Sequence, residues 1–170
     1  MTDSSGTATV TLTVAPVNDA PVVSDIPNQS VPEGTAFGTI NLDDFVADID
    51  NSDSQITWTY SGNTNLSVSI NDRIATIAPI SAEWNGSETI IFRATDPGSL
   101  SNSDAATFTV TPVNDPPVVT DIPNQTIAEG SSFATINLDN YVSDIDDADN
   151  FLTWTYSGNT NLTVTITNRV

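Results

Sequence analysis

Apolar and polar residues alternate along most of the chain, and short polar clusters interrupt the alternation at regular intervals. "ITWTYS" (56–61) and "NLSVSI" (65–70) are two such stretches. A period of two lines up one face of an extended strand. The pattern predicts strands at 21–24 with 29–32, 36–42, 55–61, 66–70, 73–78, 87–95 and 104–112. Turn-forming clusters, "PEG", "SGN", "ND", "WNG" and "DPG", separate them. Nothing sustains a helical period, and "DDFVAD" (43–48) reads as a short turn. About seven short strands in this span predict an all-β, immunoglobulin-like Greek-key sandwich.

Within 55–61, Ile56, Trp58 and Tyr60 share one face, and Thr57 and Thr59 the other. The aromatic face suits a sandwich core, with Trp58 at its centre; a sugar-stacking platform is the rival reading. Trp84, in the turn-like "AEWNGS", is the better candidate for an exposed, ligand-binding aromatic, although packing over the sandwich end would equally explain it.

The pattern also repeats. Residues 15–74 align without a gap to 111–170, with 38 identities in 60 positions. "TWTYSGNTNL" occurs at 57–66 and again at 153–162. "TDSSGTATVTLTVAPVND" (2–19) parallels "TDPGSLSNSDAATFTVTPVND" (95–115), so the period is 96 residues. The expected organisation is the last strand of a preceding repeat (1–18), one complete repeat (19–114) and the first half of the next (115–170). Met1 reads as an added start, and the chain as an excerpt of a longer protein.

Charge narrows the chemistry. Three basic residues, Arg73, Arg93 and Arg169, face 22 acidic ones, for a formal net charge of −19. Such a field repels nucleic acid and anionic membrane. No apolar run approaches the ~20 residues of a membrane helix, so membrane insertion is not expected in this segment. There is no Cys, His or Lys. The usual Ser-His and Cys-His nucleophile systems are therefore absent, as is any Lys–Asn crosslink. No phosphate-cradling glycine motif occurs. A carboxylate pair for glycoside hydrolysis would need a substrate cleft that a small repeated sandwich does not offer. The chain is not expected to be an enzyme.

The carboxylates gather where strands end. Asp48 and Asp50 form a D-x-D in "VADIDN", repeated as Asp144 and Asp146 in "VSDIDD". Asp96 follows a long strand in "RATDPG", Glu33 sits in "VPEGT", and Asn18-Asp19 and Asn114-Asp115 stand just before prolines or close to them. Crowded anions repel one another, and a bound cation offsets that cost. A hard ion such as Ca²⁺ takes 6–8 oxygens from carboxylates, amides and carbonyls. Without His or Cys, zinc and copper lose their usual ligands. The alternative is that these loops are simply solvated.

"SVPEGTAFGTI", "DID", "RATDPGSLSNSDAATFTV" and "VNDPPVV" follow one another in each period, and this set resembles a cadherin-like repeat of the kind strung in tandem through large bacterial surface and secreted proteins. The resemblance covers essentially the whole chain. It implies a cadherin-like sandwich, Ca²⁺ between consecutive repeats, an extracellular or cell-surface location and an adhesive role. The joint at 18–19 would use Asn18, Asp19, Asp48, Asp50 and Asp96. The joint at 114–115 would use Glu33, Asn114, Asp115, Asp144 and Asp146. The mid-domain "DRE"-type motif of cadherins is missing, since "IATIAPISAEWNGSET" carries only Glu83 and Glu88. Fewer ions per joint are therefore expected than in animal cadherins. Pro21 and Pro116-Pro117 should stiffen the exit from each joint. The expected partners are neighbouring repeats, with a cell-surface glycan or a like repeat on another chain as further candidates. Two rival functions stand beside the calcium joint: a carbohydrate- or cell-binding module carried by Trp84, and a strand-complemented head-to-tail filament.

Overall fold

The computed structural model describes residues 9–170. The chain divides into two compact units, Met1–Pro112 and Val113–Val170. Among the described residues there are only strands and short 3-10 turns, with no α-helix. Among those residues, no helix is long and apolar enough to cross a membrane.

The first unit is an immunoglobulin-like sandwich. Its larger sheet contains β2 (Gln29–Pro32), β5 (Thr57–Ser61), β8 (Gly86–Thr95) and β9 (Ser101–Thr111), in the order β2-β9-β8-β5. β2 runs parallel to β9, and the other pairs are antiparallel. The smaller sheet is β3 (Ile40–Asn41), β7 (Ile74–Pro79) and β6 (Leu66–Asn71). β1 (Val22–Val23) pairs separately with β4 (Val46–Ala47).

Alternation puts Trp58, Ile90, Phe92, Ala94, Ala106, Phe108 and Val110 on the inner face of the large sheet, packed in one cluster with Leu66, Val68, Ala75 and Ile77 of the small one. Phe108 is held edge-on by Phe37, with ring centroids 5.2 Å apart, and by Phe92, at 6.4 Å. Each fully buried aliphatic or aromatic side chain contributes roughly 1.5–3 kcal/mol of transfer free energy.

The structure departs from the sequence pattern in three places. The strand expected at 36–42 is reduced to Ile40–Asn41. Gln29 captures Gly38 instead: the Gly38 N–H donates to Gln29 Oε1 at 2.8 Å, and Gln29 Nε2 donates to the Gly38 carbonyl at 3.0 Å. A side chain thus takes the hydrogen bonds that a neighbouring strand would have made. "DDFVAD" forms a 3-10 turn at Leu42–Phe45 and then a strand, Val46–Ala47, that alternation did not predict. Tyr60, expected on the core face with Ile56 and Trp58, is 40% exposed and lies one residue from the end of β5. Its neighbours Ile56 and Trp58 are buried as expected.

Residues 21–32 cross from β1 to β2. The crossing is pinned by the Ile26 N–H donating to Asp104 (2.8 Å) and the Thr107 N–H donating to Asn28 (2.6 Å).

In the second unit, β10 (Val118–Val119) pairs with β11 (Val142–Ser143), reproducing the β1–β4 pair. Local geometry repeats as well. The turn Asp72-Arg73 has left-handed φ values of 48° and 62°, and Asn168-Arg169 has 49° and 62°. Arg73 pairs with Asp43, and Arg169 with Asp139, each at 2.7 Å. The strand expected from a preceding repeat falls partly on residues 1–8, which lie outside the described residues; residues 9–18 carry no strand.

Candidate metal centre

In the first unit, Asn18, Asp19, Asp48, Asp50 and Asp96 are linked through a network of hydrogen bonds. Asp48 opens the loop after β4, and its Oδ1 accepts the backbone N–H groups of Asp50 and Asn51, both at 2.9 Å. This Asx-type turn is local, so the D-x-D sequence folds it unaided. Asp50 Oδ2 then accepts the Asp19 N–H at 2.7 Å. Asp96, at the end of β8, is 5% exposed. Its Oδ1 accepts the Leu100 N–H at 2.8 Å, and its Oδ2 accepts Asn18 Nδ2 at 2.7 Å.

Two further residues belong to this network. Asn51 Nδ2 donates to Asp48 Oδ1 at 3.2 Å and to Asn18 Oδ1 at 3.4 Å. Gly98 lies directly beneath the Asn18 amide, where an added Cβ would come within 2.6 Å of Nδ2. Alternation and motif spacing missed both. The signals were present: an amide directly after the D-x-D, and a glycine in "DPG" that was read only as a turn former.

The second unit repeats the loop. Asp144 Oδ1 accepts the N–H groups of Asp146 and Asp147, both at 2.9 Å. Asp146 Oδ2 accepts the Asp115 N–H at 2.6 Å. Asn114 Nδ2 here turns to the Asp115 carbonyl, at 2.9 Å. Glu33 belongs to the first unit, at the end of β2, where its N–H donates to the Thr111 carbonyl at 2.9 Å.

The hydrogen bond from the Asp50 N–H holds the Asp48 carboxyl below its ordinary range; partial burial opposes this, and Asn51 adds to the lowering. Asp48 is therefore an anion at neutral pH. One of its oxygens, Oδ2, is buried without a hydrogen-bond partner, and so is Asp144 Oδ2. The buried partnerless side-chain atoms among the described residues are these two oxygens and the indole nitrogens of Trp58 and Trp154. An unpaired indole N–H is a modest cost in a core. An unpaired carboxylate oxygen is a larger one, and a cation relieves it. The donors are all oxygen, which suits a hard ion. Among the described residues, no three carboxylates are disposed to hold a metal by themselves.

Trp84 is half-buried and packs against the hydrophobic core, with its ring over Gly86. No observation favours it as a glycan platform.

A family model for the bacterial Ig domain matches residues 18–111. The chain belongs to the bacterial Ig domain family. The match begins at Asn18, the first residue of the network. Among solved structures, this bacterial Ig chain is similar to Drosophila N-cadherin EC1-4, at 20% identity and a TM-score of 0.45 over 61% of this chain and 27% of that one. It is similar to protocadherin gamma B7 domains 1–4 at 22% identity and a TM-score of 0.45, over 75% and 33% of the two chains. A family 107 endo-fucoidan hydrolase matches at 22% identity and a TM-score of 0.39, over 54% and 16%. The chain thus spans a third or less of the length of each. No curated protein sequence matches it.

Proposed function

We infer that the chain is a structural segment of a long extracellular bacterial protein, in which Ca²⁺ at the joints between repeats holds neighbouring sandwiches in a fixed orientation. The observation that carries this reading is the buried, unpartnered carboxylate oxygen of Asp48, reproduced at Asp144 in the same backbone setting. Asn18, Asp19, Asp48, Asp50 and Asp96 would hold the ion of one joint. Asn114, Asp115, Asp144 and Asp146, with Glu33, would hold that of the next. The ion supplies positive charge that neutralises the clustered anions and ties loops that are distant in sequence. The protein's part is to hold the carboxylates in place, through the backbone N–H groups that cap Asp48 and Asp144. Tandem units coupled in this way form a stiff stalk suited to surface display and adhesion.

Calorimetric titration with Ca²⁺, beside thermal melts with and without chelator, tests the reading. Binding and a higher melting temperature in Ca²⁺ are expected. Asp48→Ala with Asp50→Ala should abolish binding at the first joint and remove most of its share of the shift. No heat of binding together with coincident melts would sink the idea.

A further inference from the structure

The two loops differ at one position that the calcium reading does not use. Asn51 and Asp147 occupy the same place in the repeat and the same backbone setting, since each gives its N–H to the preceding aspartate's Oδ1 at 2.9 Å. Their side chains carry different chemistry. The Asn51 amide is neutral and ties together two expected ligands, Asp48 and Asn18. A carboxylate has no proton to donate at neutral pH, so Asp147 cannot make that tie. It adds a negative charge beside Asp144, whose buried oxygen already lacks a partner. Without a cation that charge is repulsive; with one it is attractive.

Resting on the calcium reading, we propose that position 51/147 sets the cation affinity of each joint, with asparagine giving a weaker, pre-tied site and aspartate a tighter, more salt-sensitive one. Ligand charge is a general means of tuning Ca²⁺ affinity. One unit charge added close to a divalent ion changes affinity by roughly three- to tenfold in a screened, water-exposed setting. In an array of such repeats, joints bearing asparagine would release calcium first as its concentration falls. The stalk would loosen at chosen joints rather than uniformly.

The test uses the 170-residue chain. Asp144→Ala/Asp146→Ala silences the second joint, and Asp48→Ala/Asp50→Ala silences the first. On the former background, Asn51→Asp should tighten Ca²⁺ binding about three- to tenfold and steepen its dependence on NaCl. On the latter, Asp147→Asn should weaken binding by a similar factor and flatten that dependence. Asp121→Asn, a charge change elsewhere in the second unit, serves as control and should move affinity less than about twofold. Binding that neither swap alters, or that the control alters equally, overturns this proposal alone. A parent chain that binds no Ca²⁺ overturns the calcium reading, and this inference with it.

Discussion

"TWTYSGNTNL" at 57–66 and at 153–162 is the same peptide in two different structural states. In the first unit it supplies a strand paired along its length with β8, and Trp58 is 8% exposed. In the second it forms no strand, and Trp154 is only half-buried. The same contrast runs through the aligned residues: Phe37 is 5% exposed and Phe133 45%, while Leu66 is 0% and Leu162 58%. The missing contribution is identifiable. β8 and β9 provide both the hydrogen-bonding partner of β5 and half of the core, and no described strand plays either part beside 153–162. Strand and core are thus non-local properties of this fold. The acidic loops behave in the opposite way. Asp48–Asn51 and Asp144–Asp147 keep the same backbone hydrogen bonds to the leading aspartate in both units, because an Asx turn needs only its own neighbours.

The largest consequence is in backbone protection. The hydrogen-bonded amides of 57–61 should exchange with deuterium at least about a thousandfold more slowly than their counterparts in 153–157. Hydrogen-exchange mass spectrometry on the whole chain reads both segments at once. Equal protection would break the comparison, since it would mean that the second unit finds a strand partner, for instance on another copy.

That division between local and long-range also explains what the sequence made legible. Alternation located β5 to β9 closely, since each carries buried residues at every second position along part of its length, Trp58 alone in β5. The D-x-D loops were legible for the same reason that they persist in the second unit. The Gln29 clamp on Gly38 was not, because it joins backbone to a side chain nine residues away and leaves the apolar pattern of 36–42 untouched. The split of 21–32 between two sheets was also hidden, since Asp104 and Thr107, which pin it, lie 78 and 79 residues from their partners. Asn51 and Gly98 escaped notice because neither is acidic, although both touch Asn18.

Packing energies should follow the same divide. Phe37→Ala removes a ring wedged against Phe108 and should cost the first unit about 3–5 kcal/mol. Phe133→Ala, at the aligned position, should cost the second unit less than about 1 kcal/mol. Urea titrations followed by tryptophan fluorescence separate the two, with Trp154→Phe leaving only first-unit reporters and Trp58→Phe/Trp84→Phe leaving only the second. Similar losses at both positions would show that Phe133 is buried in solution, contrary to its exposure here.

The smallest effect concerns a clamp described in the first unit. Glu88, on β8, reaches the loop that ends "TWTYSGNTNL" and accepts the N–H groups of Thr64 (2.9 Å), Asn65 (2.6 Å) and Leu66 (3.1 Å), with Asn65 Nδ2 at 2.9 Å. Partial burial pushes its carboxyl up, but these donors together outweigh burial and hold it below its ordinary value of 4.5. A lowered folded-state value means that the clamp's contribution is fully present above about pH 4.5 and fades as pH falls through that lower value. The melting temperature of the first unit should therefore drop between pH 5 and pH 3 by more than that of a Glu88→Gln variant, whose amide does not titrate. At pH 7 the variant should melt a few degrees below the parent, and the gap should narrow as pH falls below 4.5. Because the aligned loop, Thr160 to Leu162, has no such glutamate within the chain, signals from Trp154 should show no matching difference between variant and parent. A difference of equal size in both units would mean that the acid response is set by the overall charge of −19 and not by the Glu88 clamp.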